Sequence, residues 1–276
     1  MTLDMFWNEL KTDLAAVLGQ YRGVAGLHLV EVSSGHRIDF NGDAVLAAGS
    51  TIKVPVLMEL FRKAARGEID LNEAHTLDAE DAVGGSGVLQ NLEGEVTLSL
   101  RNLAILMINA SDNIATNICI ERAGIDDVNR LIRDIGCTDT VVQRMMMDSQ
   151  AAAEGRENLS TARDMVRWIE TLHGCEWENP ELCEEITAVL GKPKMSPIRA
   201  AVPADVPLVG KTGGLEGVRC EVALVEQRRR PYILGIMTAF GIDDDNSETI
   251  TELAQTAHAY LGALERFTEY GRGLQR

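Results

Sequence analysis

The chain has 276 residues, 45% hydrophobic, 25% charged and 4% aromatic, the composition of a folded globular protein rather than a disordered or fibrous one. Its 42 acidic residues against 26 basic ones leave a net charge of −16, which repels nucleic-acid backbones and anionic membrane surfaces alike. At this length one large core or two closely joined ones are expected, and no apolar run approaches the ~20 residues that span a bilayer.

Phe6, Leu10, Leu14 and Leu18 recur at helical spacing until Gly23 interrupts them, which predicts an amphipathic first helix over 3–18. Val24 to Val32 and Arg37 to Phe40 flank Ser33-Ser34-Gly35 and read as the strands of a hairpin. From Thr51 to about Leu190 the apolar spacing predicts helices over 54–65, 99–120, 125–135 and 160–172. After Pro193 the pattern reverts to strands over 218–225 and 232–240, then a last helix over 248–267. Between those strands, Arg228-Arg229-Arg230 reads as a solvated hairpin tip. Tight turns join the strands, so the sheet should be antiparallel with the terminal helices packed on it. The predicted class is α/β in the α+β sense. Residues 1–48 and 193–276 supply the sheet and its flanking helices, and 49–192 form an inserted all-helical domain. The functional cleft is expected at their junction.

Cys119, Cys137, Cys175, Cys183 and Cys220 are odd in number and lack Cys-x-x-Cys spacing. Buried reduced thiols are expected, with neither a disulfide framework nor a metal site, and no cofactor is implied. The N-terminus carries acids where a secretory peptide needs a basic start. These features favour the cytoplasm for the chain as written, and the periplasm or exterior if an export segment has been removed.

One serine alone has a lysine three positions on, in Ser50-Thr51-Ile52-Lys53. Residues three apart share a helix face, so the amine can lie beside the hydroxyl. A serine nucleophile needs such a proton acceptor, and a lysine serves when desolvation or a neighbouring cation favours its neutral form. A helix start also offers free backbone N–H groups to developing negative charge. Two further motifs follow in order: Ser111-Asp112-Asn113, read as lying inside a helical segment, and Lys211-Thr212-Gly213-Gly214, leading toward a strand.

With these three motifs the sequence resembles the penicillin-recognising serine hydrolases, most closely the class A β-lactamase family. The gaps of 61 residues from Ser50 to Ser111 and 100 from Ser111 to Lys211 are close to the family's. The resemblance implies a β-lactamase/transpeptidase-like fold and an acyl-enzyme on Ser50. It makes Lys53 a proton acceptor or relay, Ser111 a shuttle toward the leaving nitrogen, and Asn113 a partner of Lys53 and of the substrate amide. Lys211 and Thr212 would bind the substrate carboxylate, and the N–H groups of Ser50 and Gly214 would form the oxyanion hole. Gly84-Gly85-Ser86-Gly87 falls at the mouth of such a site or is a plain turn, and Arg219 is a second cation or a structural ion-pair partner. The implied partner is a small β-lactam or a D-alanyl peptide or ester, with a monomer as the family's usual state.

One element departs from the pattern. The family activates its deacylating water with a glutamate in Glu-x-x-Leu-Asn, which this chain lacks. Counting from Arg144 as the loop-opening arginine puts Met146 at that place, within a Met145-Met146-Met147 run that reads as core. Glu154, Glu157 and Asp148 are the available carboxylates. The leading expectation is a β-lactam-opening hydrolase. A peptidase or esterase like the penicillin-binding proteins, with slow deacylation, is the alternative, and a non-catalytic sensor the third.

Overall fold

The computed structural model describes residues 2–175, 177–241, 246–268 and 270–274. In chain order they form α1 (Thr2–Gln20), β1 (Val24–Glu31), β2 (His36–Phe40), β3 (Leu46–Ala47), a 3-10 turn (Gly49–Ile52), α2 (Lys53–Ala65), β4 (Ala74–Thr76) and β5 (Thr97–Ser99). Next come α3 (Leu100–Asn109), α4 (Asn113–Ala123), α5 (Ile125–Asp134), α6 (Ser149–Ala153), β6 (Leu159–Ser160), α7 (Ala162–Gly174), α8 (Pro180–Leu190) and α9 (Pro197–Ala201). The chain then closes through β7 (Leu208–Leu215), β8 (Val218–Val225), β9 (Tyr232–Ala239) and α10 (Asn246–Leu264).

Five strands pair in the order β2-β1-β9-β8-β7, every neighbour antiparallel. Every residue of β9 is buried, so this strand reads as a continuous apolar run instead of an alternating one, as it must when both sheet faces are covered. One face, with Leu27, Leu29, Val225, Leu234 and Ile236, packs on Leu10 and Leu14 of α1 and Leu253, Ala257 and Leu261 of α10. The other, with Val222, Leu224, Ile233 and Met237, packs on Met165, Val166 and Ile169 of α7. Gly235 lets α7 approach, since a Cβ there would lie 2.6 Å from the Ala162 carbonyl oxygen. The same apolar cluster continues into Ile52, Leu57, Leu103, Ile118 and Leu131, so the helical block shares its core with the sheet.

Several local features differ from the sequence reading. The helix expected over 99–120 is two helices, capped separately by Ser99 on the Asn102 N–H and by Asp112 on the Ala115 N–H. Ser111 therefore lies between helices, in left-handed backbone at φ 52. Lys211 to Gly214 lie within β7, the edge strand of the sheet, which the sequence reading did not recognise as a strand. Two short antiparallel ribbons, β3–β6 and β4–β5, accompany the helical block. The basic segment does join β8 to β9, with Arg228 and Arg229 exposed, but it is not merely solvated: the Arg229 and Arg230 N–H groups donate to Glu265 and the Arg230 guanidinium pairs with the buried Glu31.

Against the expectation of reduced thiols throughout, Cys175 and Cys183 are disulfide-bonded, their Cα atoms 5.9 Å apart. Cys175 ends α7 in left-handed backbone and the chain reverses into α8. A pair separated by eight residues has no recognised spacing, and three unpaired cysteines hid it in the count. Cys119, Cys137 and Cys220 are buried free thiols. Among the described residues no helix is long and apolar enough to cross a membrane.

Candidate active site

Ser50 stands in the 3-10 turn that precedes α2, half-buried, with Thr51, Ile52 and Lys53 buried behind it. Thr51 locks the turn, its N–H and hydroxyl both donating to the Ala48 carbonyl. Gly49 holds φ at 48, and a Cβ there would lie 2.8 Å from the Gly214 nitrogen. A Cβ on Gly213 would lie 2.9 Å from the Ser50 nitrogen. Only glycines permit this backbone-to-backbone approach of the turn to the edge strand β7. It brings the nitrogens of Ser50 and Gly214 into one neighbourhood.

Lys53 is 0% exposed and runs beneath Ser50 toward the α3–α4 junction. Its Nζ donates to the Ser111 carbonyl at 2.7 Å and to Asn113 Oδ1 at 3.1 Å, and lies 3.2 Å from Ser111 Oγ. From β7, Lys211 Nζ reaches the same Ser111 Oγ at 3.2 Å and donates to the Thr212 carbonyl at 2.8 Å. One hydroxyl is thus shared by two buried amines. Burial, then the nearby Lys211 charge, holds the Lys53 amine well below the usual lysine range. Burial, then Lys194, brings Lys211 down to about 7. Among the described residues the Ser50 hydroxyl has no hydrogen-bond partner and faces open space.

The left-handed Ser111 is held from both sides. Asp112, 1% exposed, accepts from the N–H groups of Val88, Leu89 and Ala115. Asn113 receives Lys53 on Oδ1 and donates through Nδ2 to the Gly84 carbonyl, while its N–H donates to the Ser86 carbonyl. Gly84 to Gly87 is therefore a wall of the cleft, tied to the Ser111 turn by Asp112 and Asn113. Asp112 was not singled out from the sequence, although its place between Ser111 and Asn113 was the available signal.

The opposite wall is the segment 144–158. The Arg144 guanidinium pairs with Glu157 at 2.7 Å across its neck. Asparagines hold its backbone. Asn158 Oδ1 accepts from the N–H groups of Gln143 and Arg144, and Asn129 exchanges two hydrogen bonds with Val142. Asn117 brackets Met146, accepting its N–H at 2.8 Å and donating to its carbonyl at 3.3 Å. Nothing in the spacing of these asparagines announced them. Met146 is 8% exposed and lines the cavity beside Ser50. Of the three carboxylates considered from the sequence, Glu154 pairs with Arg156 outside that lining. Glu157 lines it but is taken by Arg144 and the Asn158 N–H. Asp148 lines it too, and one of its oxygens caps α6 on the Ala151 N–H.

Two hollows meet at Ser50, Ser86, Gly214 and Leu215. The one toward the 144–158 segment has a volume of about 280 Å³ and includes Met146, Met147, Ala152 and Asn158. The other, about 730 Å³, lies toward β7 and is lined with hydroxyls: Ser111, Ser196, Thr212, Ser247 and Thr251. Arg219 lies exposed on its rim, packed over Gly214 and donating to the Leu215 and Val218 carbonyls, with no ion pair among the described residues. Glu221, 1% exposed and opposite Thr212 on β8, accepts the Ser196 hydroxyl and the Ile198 N–H, and burial brings it up to about 7.

The sequence model of the beta-lactamase enzyme family matches residues 9–261. Beta-lactamase SME-1 of Serratia marcescens is 24% identical over 247 residues, 86% of this chain and 84% of that protein. An imipenem-hydrolyzing beta-lactamase of Enterobacter cloacae is 24% identical over 232 residues, 79% of this chain and 77% of that one. The crystal structure of a beta-lactamase from Sphaerobacter thermophilus superposes with a TM-score of 0.85 at 28% identity, covering 93% of this chain and 98% of that chain. PBP-A superposes at 0.83 with 23% identity, covering 92% and 96%, a likeness of fold.

Proposed function

We propose, for a chain that belongs to the beta-lactamase enzyme family, that it opens β-lactam rings by forming an ester on Ser50. The observation that carries this reading is the convergence of the Lys53 and Lys211 amines on the Ser111 hydroxyl, each at 3.2 Å, next to an unencumbered Ser50. Lys53, whose neutral form burial favours, takes the Ser50 proton as Oγ adds to the lactam carbonyl carbon. The oxyanion forms against the N–H groups of Ser50 and Gly214, the interaction that usually contributes most to acyl transfer. As the ring C–N bond breaks, the proton passes from Lys53 through the Ser111 hydroxyl to the leaving nitrogen. Asn113 fixes the Lys53 amine, and the Lys211 ammonium with the Thr212 hydroxyl holds the substrate carboxylate. The glycines at 213 and 214 admit substrate close to the β7 backbone.

A second reading is favoured by Met146. An apolar side chain stands where the family pattern puts the carboxylate that activates the hydrolytic water, so the ester on Ser50 would form quickly and break slowly, as in a D-alanyl peptidase or esterase. Asp148 retains one carboxylate oxygen without a partner among the described residues and lines the same hollow, which makes it the deacylation base in the β-lactamase reading. The Cys175–Cys183 pair fits an oxidising compartment, so we place the protein outside the reducing cytoplasm. We also propose that it acts as a monomer.

Intact-protein mass spectrometry after mixing with a penicillin tests both readings. A transient adduct absent from Ser50→Ala, with product accumulating over many turnovers, is the expected β-lactamase result. A permanent one-to-one adduct establishes the slow-deacylating enzyme, and no adduct overturns both.

A further inference from the structure

Met147 is the residue that the site's chemistry leaves unused and its geometry does not. It is 55% exposed, an uncommon state for methionine, and its backbone is left-handed at φ 62. Such a conformation persists where the surroundings over-determine it. Here the preceding residue, Met146, is bracketed by Asn117 through both its N–H and its carbonyl, and the following residue, Asp148, is tied to α6 by its cap on Ala151. The Met147 backbone is therefore pinned on both sides and only its side chain is free to move.

That side chain crosses the mouth of the smaller hollow. A Cβ built on Gly85 would lie 3.0 Å from the Met147 sulfur and 3.6 Å from its terminal methyl, so the thioether rests against the Gly84–Gly87 wall from the facing loop. Gly85 is itself left-handed at φ 88, and the same Cβ would lie 2.6 Å from Asn113 Nδ2, so the wall cannot retreat past the Ser111 turn. Contact between Met147 and Gly85 spans two elements that otherwise approach the cleft from opposite sides. The same hollow has Met146, Ala152 and Leu215 as apolar lining together with Ser50. The hollow is open on one side, and its volume of about 280 Å³ is at the small end of ligand pockets, which run roughly 300–1,000 Å³.

We infer that Met147 roofs the acyl side of the cleft and is a specificity-determining residue, admitting a small apolar acyl group beside Ser50 and charging bulkier ones the displacement of its side chain across Gly85. The inference rests on the proposed acylation of Ser50. Methionine suits the role because an unbranched thioether repacks at low cost. Selectivity is accordingly graded, of the size one or two methylene groups usually confer in an apolar pocket, roughly 10–200-fold.

The test compares acylation rates for two penicillins that share one nucleus, one with a short alkyl acyl group and one with a branched two-ring acyl group, read as Ser50 adduct by mass spectrometry. Wild type should favour the short acyl group. Met147→Ala should shift the bulky-to-small ratio at least tenfold toward the bulky compound, and Met147→Leu, of similar volume, should restore the wild-type ratio. Met147→Gly, which the left-handed backbone accepts without strain, is the second opening variant should the alanine form fold poorly. An unchanged ratio in the opened variants, or equal acceleration of both compounds, overturns the roof. Absence of any adduct on wild type overturns the acylation reading instead.

Discussion

The two walls of the cleft around Ser50 are built by different means. On the β7 side, side chains do the holding. Lys53, Lys211, Ser111 and Asn113 form one connected polar network around buried amines, and the backbone is shaped to serve them, with Ser111 left-handed and glycines at 49, 213 and 214. On the 144–158 side the roles reverse: asparagines at 117, 129 and 158 hold backbone groups, and Met146 and Met147 put apolar side chains into the hollow beside Asp148 and Glu157. A wall made of side-chain chemistry tolerates little substitution. A wall whose shape comes from amides bound to backbone depends less on its inward-facing residues, so acylation and deacylation should be separable by substitution.

Breaking the first wall should have the largest effect. Ser50→Ala is expected to abolish the covalent adduct, and Lys53→Ala to slow its formation by about 10²–10⁴, the range of a lost general base, both read by time-resolved mass spectrometry. Rebuilding the second wall comes next. Met146→Glu puts a carboxylate into the hollow beside the ester while Asn117 still fixes the backbone at 146. Hydrolysis of the adduct should accelerate by about 10² or more, measured as shortened adduct lifetime with the acylation rate preserved. Unchanged lifetime would mean that the bracketed backbone does not aim residue 146 at the ester.

Asp148→Asn sharpens the same comparison on a smaller scale. The amide oxygen still caps α6, so the substitution removes charge and leaves the loop's path. Adduct lifetime should lengthen about tenfold, equivalent to 1.4 kcal/mol in the deacylation barrier. If lifetime is unchanged, water reaches the ester without help from this carboxylate.

The pH dependence separates the two lysines of the first wall. In the proposed mechanism Lys211 is the cation that meets the substrate carboxylate, and burial, which brings it down to about 7, leaves that charge present below neutrality and lost above it. KM for a carboxylate-bearing penicillin should therefore rise as pH passes 7, severalfold between pH 6.5 and 8.5, while an uncharged ester substrate shows no such rise. Lys53 is the base in that mechanism, and burial with the nearby Lys211 charge holds its amine well below the usual lysine range, so no loss of substrate affinity is expected from it. Parallel pH profiles for the anionic and neutral substrates would show that the carboxylate is held by some other group, for which Arg219 on the rim is a candidate.

How much of this was legible beforehand follows the same division. Ser50 and Lys53 were associated by their spacing, Ser111, Asn113 and Lys211 by the family resemblance that their motifs carry, and the structure brings the Lys53, Ser111, Asn113 and Lys211 side chains together. The strands β8 and β9 and the terminal helices were readable from apolar periodicity. The break at Ser111 was not, because its cause is a cap made by Asp112 that also binds the loop 84–89, a tertiary arrangement overriding a helical pattern. The edge strand β7 was obscured by the glycines of its functional stretch, which lower strand propensity where backbone contact with the Ser50 turn needs them. Neither the asparagine clamps nor the Met147–Gly85 contact has a sequence signature, since each joins residues 13 or more apart through backbone groups or a methionine.

The disulfide offers the mildest perturbation and the cleanest control on the whole comparison. Cys175 and Cys183 close a loop of about eight residues between α7 and α8, for which the chain-entropy model gives a stabilisation of about 2.5 kcal/mol. In a chain of this length that corresponds to a fall in Tm of about 4 °C for the double variant Cys175→Ser/Cys183→Ser, measured by calorimetry. The pair lines a hollow with Val209 and Leu224, on the far part of the sheet from Gly214, and among the described residues shares no hydrogen bond with either wall of the Ser50 cleft. Adduct formation and adduct lifetime should both stay within twofold of wild type at 25 °C. A change in lifetime alone would show that the 144–158 wall feels the α7–α8 connection through α7, whose cap at Thr161 lies just beyond Asn158. A change in acylation alone would place the coupling in α8, which packs on β7.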